Sequence, residues 1–108
     1  MFGDMMKMMG QLKEARKKAE ESKERLSHTI CRGTSMNGMV HVDLSASIEY
    51  RGMVVDDALW ERDKEEIRRS MEEAFRSGLE KAKNVQESEM KAMSADLIPP
   101  GMEKLFGQ

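Results

Sequence analysis

A change of hydrophobic period partway along the chain is the feature that most constrains its fold. From Met5 to Leu26 apolar or small residues fall at Met5, Met8, Leu12, Ala15, Ala19, Ser22 and Leu26, alternately three and four apart. That stripe crosses no proline and a single glycine, and predicts one helix over about residues 4–27. At ~1.5 Å per residue it would measure about 36 Å, more than a small compact body needs, so part of it is expected to project. Between His28 and Val55 the period drops to two and Val, Ile, Leu, Thr and Tyr take over, which predicts strands across about residues 28–55. Asn37-Gly38 is a hairpin signal, since both residue types tolerate positive φ. With that pair at the tip, Arg32 faces Asp43, Cys31 faces Leu44, and Val40, Val42 and Leu44 share one face. A second turn near Ser45-Ala46-Ser47 leads to the third strand, where the alternation reverses phase after Gly52, the mark of a bulge.

Asp56-Asp57 closes the sheet, and a second helical pattern runs through Ile67, Met71, Ala74, Phe75, Gly78, Leu79, Ala82 and Val85, predicting a helix over about residues 61–93. Acids come early in it and Lys81, Lys83 and Lys91 come later, as the helix dipole favours. Pro99-Pro100-Gly101 cannot continue a helix, and residues 96–108 read as a flexible tail. The fold class is therefore α+β: one domain over residues 1–95 in the order α-β-β-β-α. There is no room for a βαβ crossover, so the three strands should form an antiparallel meander with the two long helices packed on one face. Only 39% of the chain is hydrophobic, and five aromatics stand against 12 methionines. A chain this small with so few rigid groups is expected to bury surface against a second copy of itself.

The near-neutral charge of −2 hides a polarised molecule. Residues 1–32 carry eight Lys or Arg against five Asp or Glu, whereas the remaining 76 carry ten against fifteen. The dense part is Lys13, Arg16, Lys17, Lys18, Lys23 and Arg25. Arg16, Lys18, Lys23 and Arg25 flank the apolar seam, so a parallel self-zipper would oppose like charges across it. Two readings of the cluster stay open. In one, the bases pair with Glu14, Glu20, Glu21 and Glu24 on their own helix and with Glu72, Glu73, Glu80, Glu87 and Glu89 on the second, leaving a solvated face. In the other, a projecting helix offers a basic edge to phosphates, doubled in a dimer.

No catalytic constellation stands out, and no cofactor or small-molecule substrate is expected. His28, His41 and Cys31 are too sparse for a zinc site, and the glycines form neither a P-loop nor a dinucleotide fingerprint. One cysteine makes no intramolecular disulfide, the N-terminus has an acid where a signal peptide needs bases, and no apolar run approaches the ~18 residues of a membrane span. A cytoplasmic protein with no membrane partner is expected. The Met5-Met6-Lys7-Met8-Met9 stretch suits helix packing, a dimer contact or an adaptable groove for a protein client.

Several segments together resemble the YbaB/EbfC family of bacterial nucleoid-associated DNA-binding proteins. They are Met1-Phe2-Gly3 before a Met-rich helix, Gly38-Met39-Val40-His41-Val42 after a glycine turn, Asp63-Lys64-Glu65, Glu89-Met90-Lys91, and Pro99-Pro100-Gly101-Met102. The resemblance spans nearly the whole chain. It implies an αβββα homodimer with the sheets in its central body and helices projecting in pairs. It also implies binding of duplex DNA with little sequence preference in the nucleoid, no catalysis and no cofactor. By position, the DNA-binding residues would be Lys13, Arg16, Lys17, Lys18 and Lys23 of the first helix, with Lys81, Lys83 and Lys91 of the second in support. The chain departs from the family at Ser45-Ala46-Ser47, where an Asn-Gly turn is common, at Asp56-Asp57 in place of Asp-Pro, and at Leu59-Trp60. Trp60 is expected in the core or an interface. The alternative function is a protein-interaction adaptor or chaperone-like dimer that uses the Met-rich helix end.

Overall fold

Helix propensity and strand alternation resolve into six elements in a computed structural model that describes residues 1–97. They are α1 (Phe2–His28), β1 (Ile30–Thr34), β2 (Val40–Ser45), β3 (Tyr50–Val55), a 3-10 turn (Asp57–Glu61) and α2 (Lys64–Leu97). The sheet order is β1-β2-β3, with both pairs antiparallel. The hairpin register is the one the sequence predicts: Arg32 opposes Asp43 and Cys31 opposes Leu44. Its loop is wider than a two-residue turn, because Gly38 N donates to Ser35 O at 2.9 Å and Ser35 N to Val40 O at 3.0 Å, which leaves Met36–Met39 outside the ladder. Gly38 alone takes the positive φ, at 73°. Asn37 acts through its side chain instead. Its Oδ1 accepts from Ser35 Oγ (2.6 Å) and Met39 N (3.0 Å), and its Nδ2 donates to the buried Ser70 Oγ of α2 (2.8 Å). The loop tip is thereby tied to the helix beneath it.

The expected bulge lies at Arg51-Gly52, where Asp43 pairs with Gly52 but Leu44 pairs with Tyr50. The β2–β3 turn puts Ile48 at a φ of 64°. A β-branched residue rarely accepts that conformation, since its Cβ crowds the backbone. The second helix begins at Lys64, about three residues after its predicted start, and runs to Leu97, past the predicted end at 93. It takes in the first two residues of the predicted tail, the rest of which lies outside the described residues. Asp56 Oδ1 accepts from Ala58 N at 2.9 Å and holds the 3-10 turn, and Asp63 Oδ1 accepts from Glu66 N at 2.8 Å and caps α2. Leu59 of the 3-10 turn is fully buried, whereas Trp60 is 56% exposed, so Trp60 is no part of the core.

Val40, Val42, Leu44, Leu59 and Ala74 form the main core, with Ile67, Met71, Met53 and Val55 against it. A second cluster joins Cys31, Ala46 and Ala82 to Leu26 and Val85. Alanine and glycine on α2 let the helix lie directly on β1. A Cβ on Gly33 would stand 2.0 Å from Ala74 O and 2.2 Å from Gly78 N, so helix and strand meet backbone to backbone. This close docking gives most of the sheet face to α2, and α1 shares it only at its end, through Leu26 against Cys31 and Ala46. There α1 runs antiparallel to the later part of α2, with Leu26 near Val85 and Arg25 paired to Glu89. The radius of gyration is 20.4 Å, against about 13 Å for a compact domain of this length, and the longest dimension is 72 Å. The molecule is a small body with a shaft.

Candidate nucleic-acid interface

The direction of the shaft is set where α1 joins the body. Its last carbonyls are taken up by side chains: Thr29 Oγ1 donates to Arg25 O at 2.7 Å, Ser27 Oγ to Glu24 O at 2.8 Å, and Arg51 Nη2 of β3 to Ser27 O at 2.9 Å. The Arg51 guanidinium also places positive charge at the negative end of the helix dipole. Arg25 binds Glu89 through Nε at 3.1 Å and through Nη2 as well. The Glu89 carboxyl is held below its ordinary pKa by the Arg25 hydrogen bond first and by Ser22 second. These contacts fix residues 15–28. Residues 1–14 are all exposed, and the helical part of that stretch reaches about 20 Å outward.

The packed face of α1 differs slightly from the seam read off the sequence. Ser22 is buried and Ala15, Lys18 and Leu26 are half-buried, whereas Ala19 is exposed. A straight helix drifts ~20° per heptad relative to a strict seven-residue repeat, which rotates Ala19 off the contact and brings the Lys18 stem toward it. Among the sequence-derived site residues of α1, Lys13, Arg16, Lys17 and Lys23 are exposed. At ~100° per residue, Lys13, Arg16 and Lys17 share an arc of about 100°, with Lys18 about 160° round from Arg16. Lys23 lies on the Arg16 side, but Glu20 and Glu24 separate it from the outer three. The structure therefore groups Lys13, Arg16 and Lys17 and sets Lys18 and Lys23 apart.

On α2 the three lysines do not converge. Lys81 Nζ donates to Arg32 O of β1 at 2.6 Å and so belongs to the body. Lys83 and Lys91 are exposed about 80° apart by helical spacing but more than two turns, ~12 Å, apart along the axis. Glu65 and Glu72 of α2 pair with Arg68 on their own helix, Glu66 pairs with Arg62 just before it, and Glu73 accepts from Met36 N of the hairpin loop at 3.1 Å. Among the described residues, Arg25 with Glu89 is the ion pair that joins the two long helices, and Lys13, Arg16, Lys17, Lys18 and Lys23 have no carboxylate within 4.0 Å. Neutralisation of the basic cluster by the second helix, one of the two readings open from the sequence, is thus seen only at Arg25.

The remaining titratable groups suit a structural role. Cys31 is buried beneath Ala46 and Ala82, while His41 sits on the opposite face of the sheet with its Nδ1 2.9 Å from Thr34 Oγ1. His28 lies on α1 beside Glu24, 3.4 Å away. On the open sheet face Arg32 grips Asp43 with two bonds of 2.8 and 2.9 Å, and this holds the Asp43 carboxyl below its usual range. Among the described residues no group of three His, Cys, Asp or Glu side chains could hold a metal, and no helix is long and apolar enough to cross a membrane. Sequence reasoning missed two positioning residues, Asn37 and Arg51. Asn37 was legible only as a turn former, and nothing local marks Arg51 as the clamp of a helix 24 positions earlier.

Comparison with known proteins points one way. Residues 1–97 match the family model described as the YbaB/EbfC DNA-binding family. A nucleoid-associated protein of Flavobacterium johnsoniae is 34% identical, with 95% of this chain and 98% of that protein aligned. A nucleoid-associated protein of Agrobacterium fabrum is 32% identical at the same coverage. Among solved structures, an uncharacterized protein of Helicobacter pylori superposes with a TM-score of 0.67 at 27% identity, over 84% of this chain and 94% of that one.

Proposed function

The chain belongs to the YbaB/EbfC DNA-binding family, and from that premise we propose that it is a non-enzymatic homodimer that grips duplex DNA through the outer part of α1. Its relatives carry names of nucleoid-associated proteins and not of enzymes. The observation that carries the reading is the exposed, unpaired group Lys13, Arg16 and Lys17 on a helix that stands clear of the body. Phosphates are the partner for bases in that position, because contact releases condensed counterions and needs no base-specific geometry. Little sequence preference follows, and the nucleoid is the site of action. Lys18, Lys23, Lys83 and Lys91 add positive field on either side of the central three, and Lys81 contributes least because it is tied to Arg32 O. The exposed line Met1, Met5, Met8 and Leu12 supports the homodimer, since it continues the packed face of α1 outward, beyond the like charges from Arg16 to Arg25 that oppose a parallel self-zipper, and stays exposed.

Fluorescence anisotropy of a mixed-sequence duplex of ~30 base pairs, repeated across a salt series, tests the reading. The expected result is sub-micromolar binding at low salt that weakens linearly on a log-log plot. Replacing Lys13, Arg16 and Lys17 by glutamate should abolish binding while circular dichroism and dimer mass stay unchanged. Affinity that ignores salt would overturn phosphate contact as the mechanism. Equal affinity in the triple variant would remove these residues from the interface.

A further inference from the structure

Two apolar lines run along the exposed outer half of α1, and the function proposed above employs one. Met1, Met5, Met8 and Leu12 extend the face that packs on α2. Phe2, Met6 and Met9 are 83%, 69% and 59% exposed and lie on another line. At ~100° per residue they fall on the face of Lys13, Arg16 and Lys17, each step being three or four residues. One side of the shaft is therefore apolar over its outermost ~10 Å and basic over the next ~12 Å. Toward the body the same side carries Glu20 and Glu24 and turns acidic. A second copy laid parallel would bring these bases against bases, and one laid antiparallel, with the bases opposite Glu20 and Glu24, would carry Met6 and Phe2 past the end of the partner's helix at His28. Duplex DNA answers both chemistries on one surface: phosphates for the three bases, and the flat faces of partly opened base steps for the three apolar side chains.

We infer that Phe2, Met6 and Met9 wedge against base steps from the minor groove while Lys13, Arg16 and Lys17 hold the adjoining phosphates, so that binding bends the duplex. The inference rests on the duplex-binding function proposed above. An apolar side chain inserted at a step unstacks it partially and kinks the helix axis by about 20–90° toward the major groove. Methionine, unbranched and with a polarizable sulfur, fits steps of different shape, in keeping with loose sequence preference. Deformable TA and CA steps should be opened in preference to stiff A-tracts. Two shafts in a dimer would place two such kinks.

The test uses the full-length protein and a ~30-base-pair duplex with donor and acceptor dyes at its ends and 2-aminopurine at a central TA step. The wild type is expected to raise both energy transfer and 2-aminopurine fluorescence. The triple variant Phe2→Ala, Met6→Ala, Met9→Ala keeps helix propensity and removes no buried group, so its circular dichroism and dimer mass should be unchanged. It should lose both optical signals and bind roughly tenfold more weakly, with the same salt slope because the phosphate contacts remain. A variant that bends and unstacks DNA like the wild type overturns the wedge and leaves duplex binding intact. A variant that loses its dimer mass also overturns it, by assigning these side chains to a second copy. Wild-type binding to straight, fully stacked DNA overturns it as well, whereas a wild type that fails to bind at low salt instead sinks the duplex-binding function itself.

Discussion

The two halves of α1 share one helix and one apolar spacing, yet they meet opposite environments. In residues 15–28 the stripe is used: Ser22 is buried, Leu26 joins the Cys31 cluster, and Arg25 and Arg51 lock the end in place. In residues 1–14 the stripe continues but stays exposed, with Met5, Met8 and Leu12 between 57% and 66% exposed. Periodicity shows that a face is apolar without showing what covers it. Here the inner half packs against the later part of α2, and the outer half stays exposed. The basic group begins where that packing ends.

The largest effect that would break this division comes from the contact that decides which helix owns the sheet. Gly33→Ala drives a Cβ into Ala74 O and Gly78 N at 2.0 and 2.2 Å, both backbone atoms that cannot swing aside. It should destabilise the fold by about 3 kcal/mol or more, read by thermal or urea unfolding. A near-neutral result would mean that α2 does not lie so closely on β1. A pair of truncations sharpens the comparison within α1. Leu26→Ala should lower stability by about 1–2 kcal/mol at any protein concentration, since the side chain is half-buried within one protomer. Leu12→Ala should leave the protomer's own stability within about 0.5 kcal/mol and act only through self-association, so its effect should depend on concentration.

The β2–β3 turn beside α1 offers an effect of opposite sign. Ile48→Gly removes the Cβ crowding at a φ of 64° and should raise stability by about 1 kcal/mol, measured as a shift of the urea midpoint at constant slope. Acid should produce the smallest change. Glu89 and Asp43 are both held below their unfolded values by arginine partners. A carboxylate depressed in the native state contributes stability that is present above its unfolded pKa and is lost as pH falls through the native one. Stability should therefore be flat down to about pH 5 and decline below about pH 4, and the decline should shrink in Glu89→Gln. Both carboxylates are half-buried but their arginine partners are exposed, so solvent screens the pairs and the effect should be modest.

Much of the architecture was legible because local rules agreed with one another. The hairpin register, the bulge at Gly52 and the inward face Val40, Val42 and Leu44 follow from period-two alternation and glycine placement, and these need no distant information. The start of α2 lies at Lys64 and not near residue 61, because the 3-10 turn Asp57–Glu61 takes up Glu61 and the Asp63 side chain caps the helix after it. Of the two places open to Trp60, core or interface, the core is closed to it because the turn's one inward position goes to Leu59. On the candidate surface, the bases of α1 could be named, but their grouping could not. The line of Phe2, Met6 and Met9 was present in the spacing, hidden by a heptad frame drawn through Met5 and Leu12.

By itself the sequence determined element type, order, strand register and the polarity of charge along the chain, because each is set by contacts within a few residues or across one tight turn. Only the tertiary structure decided that α2 takes the sheet and α1 stands away. Gly33 and Gly78 are 45 residues apart, and their meeting is a property of two backbones approaching without side chains between them. The same packing places Arg51 at the end of α1 and Glu89 beside Arg25, and so determines which bases remain unpaired. Residue spacing reports what each face of a helix could bury; the body's shape, set by close packing at distant positions, selects which faces stay open to a partner.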